Sequence, residues 1–141
     1  MDPIHRLIYA SRSQGFAMTH AVAIRRTAER FNGKVGITGA LVATRQRFLQ
    51  VLEGPQTTVQ ALYTRIQRDP RHESCVLLLQ SAADFRLWPD WSMKLLGDLQ
   101  FERRAAERGL QVDALPDDPT HALQWIELLY SFSGDGHDDA R

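Results

Sequence analysis

The order in which strand-like and helix-like patterns follow one another constrains the fold of this chain most. Apolar or alternating patterns typical of strands occupy five stretches: Ile4 to Ala10, Val35 to Thr44, Gln46 to Glu53, Ser74 to Gln80 and Trp91 to Leu96. Apolar residues at helical spacing follow the first stretch, from Thr19 to Asn32, and the third, between Pro55 and Asp69. Thr19 is placed to cap the first of these helices, and Thr57 and Gln60 have capping-box spacing in the second. Two strand-helix-strand units joined through a hairpin predict a ferredoxin-like α+β fold, βαββαββ, with both helices on one face of a mixed five-stranded sheet.

The chain changes character after Asp98. A charged helical stretch runs from Asp98 to Gly109, a linker with two prolines follows, and an amphipathic helix is predicted from His121 to Phe132. We therefore expect a folded unit over residues 1–98, a C-terminal helical appendage over residues 99–132 and a mobile tail over residues 133–141. The appendage is expected to cover the free face of the sheet or to pack against another copy of the chain.

Composition excludes several classes of partner and site. The 17 Lys+Arg balance the 17 Asp+Glu, so no net field attracts nucleic acid or an anionic membrane. The single cysteine, Cys75, excludes an intramolecular disulfide and favours a reducing, cytoplasmic location. No apolar stretch approaches the roughly 20 residues needed to span a bilayer, and the histidines lack metal-ligand spacing. We expect a soluble protein without a metal.

One polar residue interrupts an apolar strand. Gln50 shares its strand face with Phe48 and Leu52, while Leu49, Val51 and Glu53 point to the other side. A buried carboxamide carries two donors and an acceptor, and leaving one of these groups unsatisfied costs roughly 1 to 3 kcal/mol. Either the fold or a bound ligand must therefore supply partners for Gln50.

Two further polar residues should lie near Gln50. Tyr9 is on the first strand, which neighbours the third strand in this topology, and Asn32 ends the first helix above them. A phenol and two carboxamides can thus converge on one site. In the simpler alternative, Tyr9 and Gln50 bond each other inside an ordinary core and Asn32 only caps a helix.

Other conspicuous residues have ordinary explanations as well as functional ones. Arg71 and His72 follow the second helix on a turn that can meet an anionic group or can simply be solvated. Trp88, Trp91 and Met93 are of the types that most often fill a core or an interface. The sequence contains neither a Gly-x-Gly-x-x-Gly nor a Gly-x-x-x-x-Gly-Lys phosphate loop, and no Ser/His/Asp set in it is compelling.

Taken together, these residues resemble the BLUF family, blue-light sensors that hold a flavin. The matching motifs are Leu7-Ile8-Tyr9-Ala10-Ser11, Asn32 with Gly36-Ile37-Thr38-Gly39, Phe48-Leu49-Gln50-Val51-Leu52-Glu53-Gly54, Asp69-Pro70-Arg71-His72 and Trp91-Ser92-Met93. They occur in the family's order over residues from about 4 to 97. Each motif is modest, but the ordered set is highly specific.

The resemblance implies a flavin between the two helices, FAD or alternatively FMN or riboflavin. Asn32 then bonds the polar edge of the ring, and Gln50 bridges Tyr9 and the flavin. Blue light moves an electron and a proton from Tyr9 to the flavin in this family, and recombination leaves the Gln50 amide rotated or tautomerised. The pigment shifts to the red and keeps its cofactor.

The resemblance also assigns the outer residues. Arg71 and His72 match positions near the ribityl and phosphate part of the flavin. Trp91 and Met93 match the strand that relays the change, and either of them can be the neighbour of Gln50. Trp88 departs from the family, which usually has phenylalanine there.

The implied function is that of a photoreceptor and not an enzyme. Because no cyclase, phosphodiesterase or other effector is attached, we expect output through contact with a separate signalling protein or through a homo-oligomer. The alternative is a small flavin-dependent oxidoreductase, although nothing in the sequence resembles a nicotinamide site. An RNA-binding module is disfavoured because the strand from Phe48 to Gly54 lacks the required basic and aromatic pattern.

Overall fold

A computed structural model describes residues 3–89, 94–96, 98–111 and 122–133. Its elements, in chain order, are β1 (Ile4–Ser13), α1 (Ala17–Phe31), a 3₁₀ turn (Gly33–Val35), β2 (Thr38–Thr44), β3 (Arg47–Gly54), α2 (Gln56–Arg68), β4 (His72–Ala83), β5 (Lys94–Leu96), α3 (Asp98–Glu107) and α4 (Ala122–Tyr130). The α+β class predicted from the sequence is confirmed. Within the described ranges, no helix is both long and apolar enough to cross a bilayer.

The strands form one sheet in the order β4-β1-β3-β2-β5. The first four strands of that order pair antiparallel, and β5 pairs parallel to β2. As predicted, β1 lies beside β3, and their register sets Tyr9 opposite Gln50. Three residues away, the same register sets Arg6 opposite Glu53.

Alternation along the central strands divides the core between the two faces of the sheet. On one face, Leu7, Tyr9, Phe48 and Leu52 pack with buried residues of α1 and α2. On the other face, residues of the opposite strand phase pack with buried residues of α3 and α4: Ile8, Ala10, Leu49 and Val51. The C-terminal helices therefore cover the free face of the sheet, which was one of the two expectations for them.

The helix starts differ from the sequence-based predictions. Thr19 and Thr57 are not caps, because α1 begins at Ala17 and α2 at Gln56, and within the described part of the chain neither helix start has a side-chain cap hydrogen bond. At α1, the Ala17 N–H donates to the Arg45 carbonyl, 2.5 Å away. The N–H group at the start of α1 thus donates to a carbonyl of the β2–β3 turn, which takes the place of a capping side chain as the acceptor.

Candidate functional site

The Tyr9–Gln50 pair lies at the centre of the sheet, on the face covered by α1 and α2. Tyr9 is fully buried and Gln50 is 3% exposed, and the Tyr9 hydroxyl donates a hydrogen bond to Gln50 Oε1. Burial raises the pKa of Tyr9 well above its ordinary value, and the neighbouring Cys75, Tyr63 and Asp69 add to this effect. Tyr9 is therefore a protonated donor at neutral pH, and the fold itself satisfies the acceptor end of Gln50.

An open cleft of about 180 Å³ lies between α1 and α2 and reaches Gln50. Its aliphatic lining comes from Ile24 and Ala28 on α1 and from Leu62 and Ile66 on α2. The polar lining includes both predicted carboxamides and the turn after α2: Asn32, Gln50, Asp69, Arg71 and His72. The cleft therefore has aliphatic surfaces contributed by two helices and polar groups that can bond the edge of a flat ligand.

Asn32 is held by its backbone at the end of α1. Its N–H donates to the Ala28 carbonyl at 2.7 Å, and its own carbonyl accepts from the Ile37 N–H at 2.8 Å. Gly36 has a φ of 76°, a left-handed conformation that glycine adopts without strain, and this turn brings the chain back to Ile37. The Asn32 residue is 3% exposed and lines the cleft.

Arg71 is tied to Asp69 at the edge of the cleft. The Arg71 Nη2 and Nε atoms donate to the Asp69 carboxylate at 2.7 and 3.1 Å, and the Arg71 N–H donates to the same group at 2.9 Å. The side-chain hydrogen bond from Arg71 lowers the pKa of Asp69, and the reciprocal bond raises the pKa of Arg71. Arg71 is thus a cation whose position is fixed by a carboxylate.

His72 is a neutral member of the site. It is 6% exposed, and its Nδ1 atom lies 2.9 Å from Ser11 Oγ. Burial lowers the pKa of His72 to about 4. The sequence suggested two cationic side chains on this turn, but burial leaves Arg71 as the charged one at neutral pH.

Aromatic rings surround Tyr9. The Tyr63 ring of α2 lies 5.1 Å from the Tyr9 ring, and the His72 ring lies 5.9 Å from it. Phe48 in turn packs on His72 at 4.8 Å. Burial raises the pKa of Tyr63 to about 12, so both phenols remain protonated at neutral pH. These ring contacts hold Tyr9 in one orientation towards Gln50.

A bulge in β4 sets the position of His72. Along β1 the register runs from Ala10 opposite Val76 to Arg12 opposite Glu73, so β4 carries one extra residue there. Ser74, inside this stretch, has a φ of 52°, which is the left-handed region that most side chains avoid. After this strained bulge, Glu73 and His72 pair with Arg12 and Ser13 of β1. This pairing places the His72 ring against Ser11 Oγ.

A buried carboxylate on the other face of the sheet was missed by sequence reasoning. Glu53 is fully buried, and its side chain accepts from Arg6 Nε at 2.8 Å and from the Leu87 and Trp88 N–H groups, each at 2.9 Å. The only signal in the sequence was an acidic residue at the end of an apolar strand. Its partners come from a distant loop that no local pattern indicates.

The structure thus brings five predicted site residues to one cleft. Asn32, Gln50, Arg71 and His72 line it, and Tyr9 contacts it through Gln50. Trp91 and Met93 lie outside the described residues, so their predicted place beside Gln50 stays a prediction. Among the residues that are described, no cluster of His, Cys, Asp and Glu has the geometry of a metal site.

Comparison with known proteins identifies a family. The profile of BLUF domains, "Sensors of blue-light using FAD", matches residues 4–94. That range contains Tyr9, Asn32, Gln50, Arg71 and His72, together with the cleft they surround.

Individual relatives agree with the profile. Photoactivated adenylate cyclase subunit beta from Euglena longa is 32% identical over 94 residues, which are 64% of this chain and 11% of that protein. The blue light- and temperature-regulated antirepressor BluF from Escherichia coli (strain K12) is 35% identical over 97 residues, or 69% of this chain and 23% of that protein. The dark-state structure of the BLUF protein BlrB has a TM-score of 0.74 and 29% identity, covering 96% of this chain and 98% of that one. The chain therefore spans a small part of these curated relatives and nearly all of the solved structure.

Proposed function

The chain belongs to the BLUF family of blue-light sensors that use FAD, and on that premise we propose that it is a photoreceptor whose switch is the Tyr9–Gln50 pair. The single observation that carries this proposal is the hydrogen bond from the buried Tyr9 hydroxyl to Gln50 Oε1, at a carboxamide that also lines an open cleft. A purely structural amide has no need of a ligand cleft beside it.

The residues of the cleft fit a flavin. A flat, largely apolar ring system suits the aliphatic surfaces of Ile24, Ala28, Leu62 and Ile66. The carbonyl and N–H groups at one edge of such a ring need both donors and acceptors, and the carboxamides of Asn32 and Gln50 offer both.

The outer part of the flavin is assigned to the turn after α2. Arg71, fixed by Asp69, is the cation at the edge of the cleft, and neutral His72 can exchange hydrogen bonds with ribityl hydroxyls. We propose FAD as the native flavin because the family description names it. FMN and riboflavin are the alternatives, and titration of the purified protein with each flavin compares their affinities.

The chemistry of the switch follows from the two side chains. When bound, the flavin supplies the absorption of blue light and an acceptor for one electron. Tyr9 would supply that electron, and because an oxidised phenol is strongly acidic, the Oη proton would leave towards Gln50 Oε1, against which it lies. Return of the electron and the proton to Tyr9 would complete the cycle. A carboxamide has an acceptor end and a donor end, so rotation or tautomerisation of Gln50 changes what it offers both to Tyr9 and to the cleft.

Output is proposed to occur through contact with a separate signalling protein or through self-association in the cytoplasm, without catalytic turnover by the chain itself. The BluF relative is named an antirepressor, which is a role that depends on a partner. Light changes such a contact only if the partner binds the two states with different free energy, and a tenfold preference corresponds to about 1.4 kcal/mol. Trp91 and Met93 are proposed to relay the change along the segment that leads to β5.

We also propose that the chain is organised in three segments, as the sequence predicts. Residues 1–98 form the flavin-binding unit, residues 99–132 the helical appendage and residues 133–141 a separate tail. A ferredoxin-like description of the unit is supported by the strand order β4-β1-β3-β2 and by α1 and α2 sharing one face.

The test is the absorption spectrum of the purified protein before and after blue light. We expect a yellow protein with a reversible red shift, and we expect Gln50→Ala to abolish the shift. Gln60→Ala, which changes an exposed glutamine of α2, is the matched control and should keep it. A protein with no affinity for any flavin would contradict the proposal, and steady oxidation of a nicotinamide donor in the dark would instead identify an oxidoreductase.

A further inference from the structure

A set of polar contacts centred on the buried Glu53 carboxylate lies on the sheet face opposite the flavin cleft. We call it the far-face clamp, and it consists of Arg6, Glu53, Arg86 and the backbone of residues 85–88. The Glu53 carboxylate accepts from Arg6 Nε and from two backbone N–H groups, as described above. The clamp thus fixes the loop after β4 to the central strands through a carboxylate without contact to water.

Arg86 and Arg6 complete the clamp from its two sides. Arg86 donates to Thr38 Oγ1 at 2.9 Å, to the Glu53 carbonyl at 3.1 Å and to the Gly36 carbonyl at 2.7 Å. Arg6 Nη2 donates to the Phe85 carbonyl at 2.9 Å. The loop is therefore bonded to β1 and to β3, and also to both ends of the segment that joins the 3₁₀ turn to β2.

The clamp and the Tyr9–Gln50 pair belong to the same two strands. Tyr9 faces Gln50 and Arg6 faces Glu53 in one antiparallel register. The two pairs are three residues apart on each strand, and an odd separation places them on opposite faces of the sheet. A shift of β1 relative to β3 at one pair must therefore be accommodated by the other, about 10 Å further along the strands.

The clamp also reaches the helices that cover the far face. The Arg6 guanidinium lies over the Tyr130 ring of α4, with its central carbon 5.5 Å from the ring centroid. The backbone N–H of Trp88 donates to Glu53. The Trp88 side chain is 1% exposed and packs in the core formed with α3 and α4. Arg6 and Glu53 thus connect the photoactive strand pair to α4 by two routes, one through Tyr130 and one through Trp88.

We propose that Arg6 and Glu53 are positioning residues that couple the Tyr9–Gln50 pair to α4, so that the light-driven change reaches the C-terminal helices through the far-face clamp. This inference rests on the proposed function and adds a second route out of the flavin site, beside the one proposed through Trp91 and Met93. Separating the buried Glu53 carboxylate from Arg6 would leave a buried charge unpaired, which is costly. The contacts of the clamp are therefore kept when the strands shift, and the clamp moves together with the strands. Neither residue lines the cleft, so flavin binding is expected to survive their replacement.

The test compares the light-induced change at α4 with the light-induced change at the flavin. Full-length protein loaded with flavin is measured in the dark and under continuous blue light, by absorption and by amide hydrogen exchange of residues 122–130. The variants are Glu53→Gln, which keeps the shape of the side chain and removes its charge, and Tyr130→Leu, which removes the ring under Arg6 and keeps an apolar side chain against the far-face core. Glu29→Gln is the control, because it breaks the exposed Arg25–Glu29 pair on α1.

The wild type and Glu29→Gln should show a red shift together with a light-dependent change of exchange in α4. Glu53→Gln and Tyr130→Leu should keep the red shift, and the change in α4 should fall about fivefold or more, which is the lower end of ordinary coupling strengths. Tyr130→Leu keeps the inference testable if Glu53→Gln does not fold.

Three results would overturn the inference. The first is an undiminished change at α4 in both variants, and the second is a wild type with a normal red shift and no change at α4. The third is loss of the red shift in both variants, because the clamp would then act on the flavin site itself. A wild type without any red shift contradicts the proposed function instead, and the inference falls with it.

Discussion

Replacing Tyr9 by phenylalanine removes the donor of the central hydrogen bond and almost nothing else. The ring keeps its packing against Tyr63 and His72, and the loss of one oxygen leaves no sizeable cavity. Gln50 Oε1 loses its buried donor, which costs about 1 to 3 kcal/mol in proteins. Because the open cleft beside Gln50 admits water, we expect the free energy of unfolding at pH 7 to fall by about 1 to 2 kcal/mol.

The pH dependence of the same variant has a definite sign. Burial raises the pKa of Tyr9 in the folded protein, whereas in the unfolded chain it is close to 10. Above pH 10 the unfolded chain therefore releases a proton that the folded chain keeps, and the wild type loses stability as the pH rises towards the folded pKa. Phenylalanine does not titrate, so the stability difference between wild type and Tyr9→Phe should shrink above pH 10.

The assay is guanidinium unfolding of the flavin-free proteins at pH 7 and just above pH 10, followed by circular dichroism. Equal slopes against denaturant show that the difference lies in stability and not in compactness. Tyr63→Phe is the matched control, since it removes a half-buried hydroxyl from the neighbouring ring and should cost less at pH 7. A Tyr9→Phe protein as stable as wild type at pH 7 would refute the argument that this hydrogen bond satisfies a buried carboxamide.

Three further predictions concern the surroundings of the site. The pKa of His72 is lowered to about 4 in the folded protein, from an unfolded value near 6.5. Between these two pH values the unfolded chain therefore binds a proton that the folded chain does not bind. The wild type should lose about 3 kcal/mol as the pH falls from 7 to 4, and His72→Asn, titrated in parallel, should lack this part of the loss. Ser74→Gly should raise the melting temperature by a few degrees, because glycine adopts the left-handed backbone conformation of this position without strain. Ser81→Gly is the control, since it changes a serine in ordinary backbone of the same strand and should lower the melting temperature. Trp88→Ala should cost about 3 to 5 kcal/mol in chemical unfolding. Trp88→Phe should cost less than about 2 kcal/mol, since it also removes a buried indole N–H that has no hydrogen-bond partner among the described residues. Equal losses in the two variants would contradict this expectation.

The pairing of Tyr9 with Gln50 was predictable because it depends on two simple rules. Strand alternation places Gln50 on a core face, and the order of strands and helices makes β1 and β3 neighbours. The structure confirms that adjacency and adds the register that sets the two residues opposite each other. The place of Asn32 was predictable for the same reason, since it ends the helix above these strands, whereas Arg71 and His72 were assigned to the site through the family resemblance.

The far-face clamp was not predictable, because it consists of contacts between residues far apart in sequence. Glu53 is bonded by Leu87 and Trp88, which belong to an irregular loop, and their backbone N–H groups leave no mark in the sequence. The neutral state of His72 was also hidden, since it depends on burial that only tertiary packing provides. The predicted start of α1 was wrong for a related reason, since the Arg45 carbonyl replaces the side-chain cap expected at Thr19.

The most direct test of the switch is the infrared difference spectrum, light minus dark, of protein whose glutamine side chains carry nitrogen-15. We expect label-sensitive carboxamide bands that disappear in Gln50→Ala and persist in Gln60→Ala, because only the amide bonded to Tyr9 rearranges. A light-dependent red shift without label-sensitive bands, or with bands unchanged in Gln50→Ala, would contradict the claim that Gln50 is the part that moves.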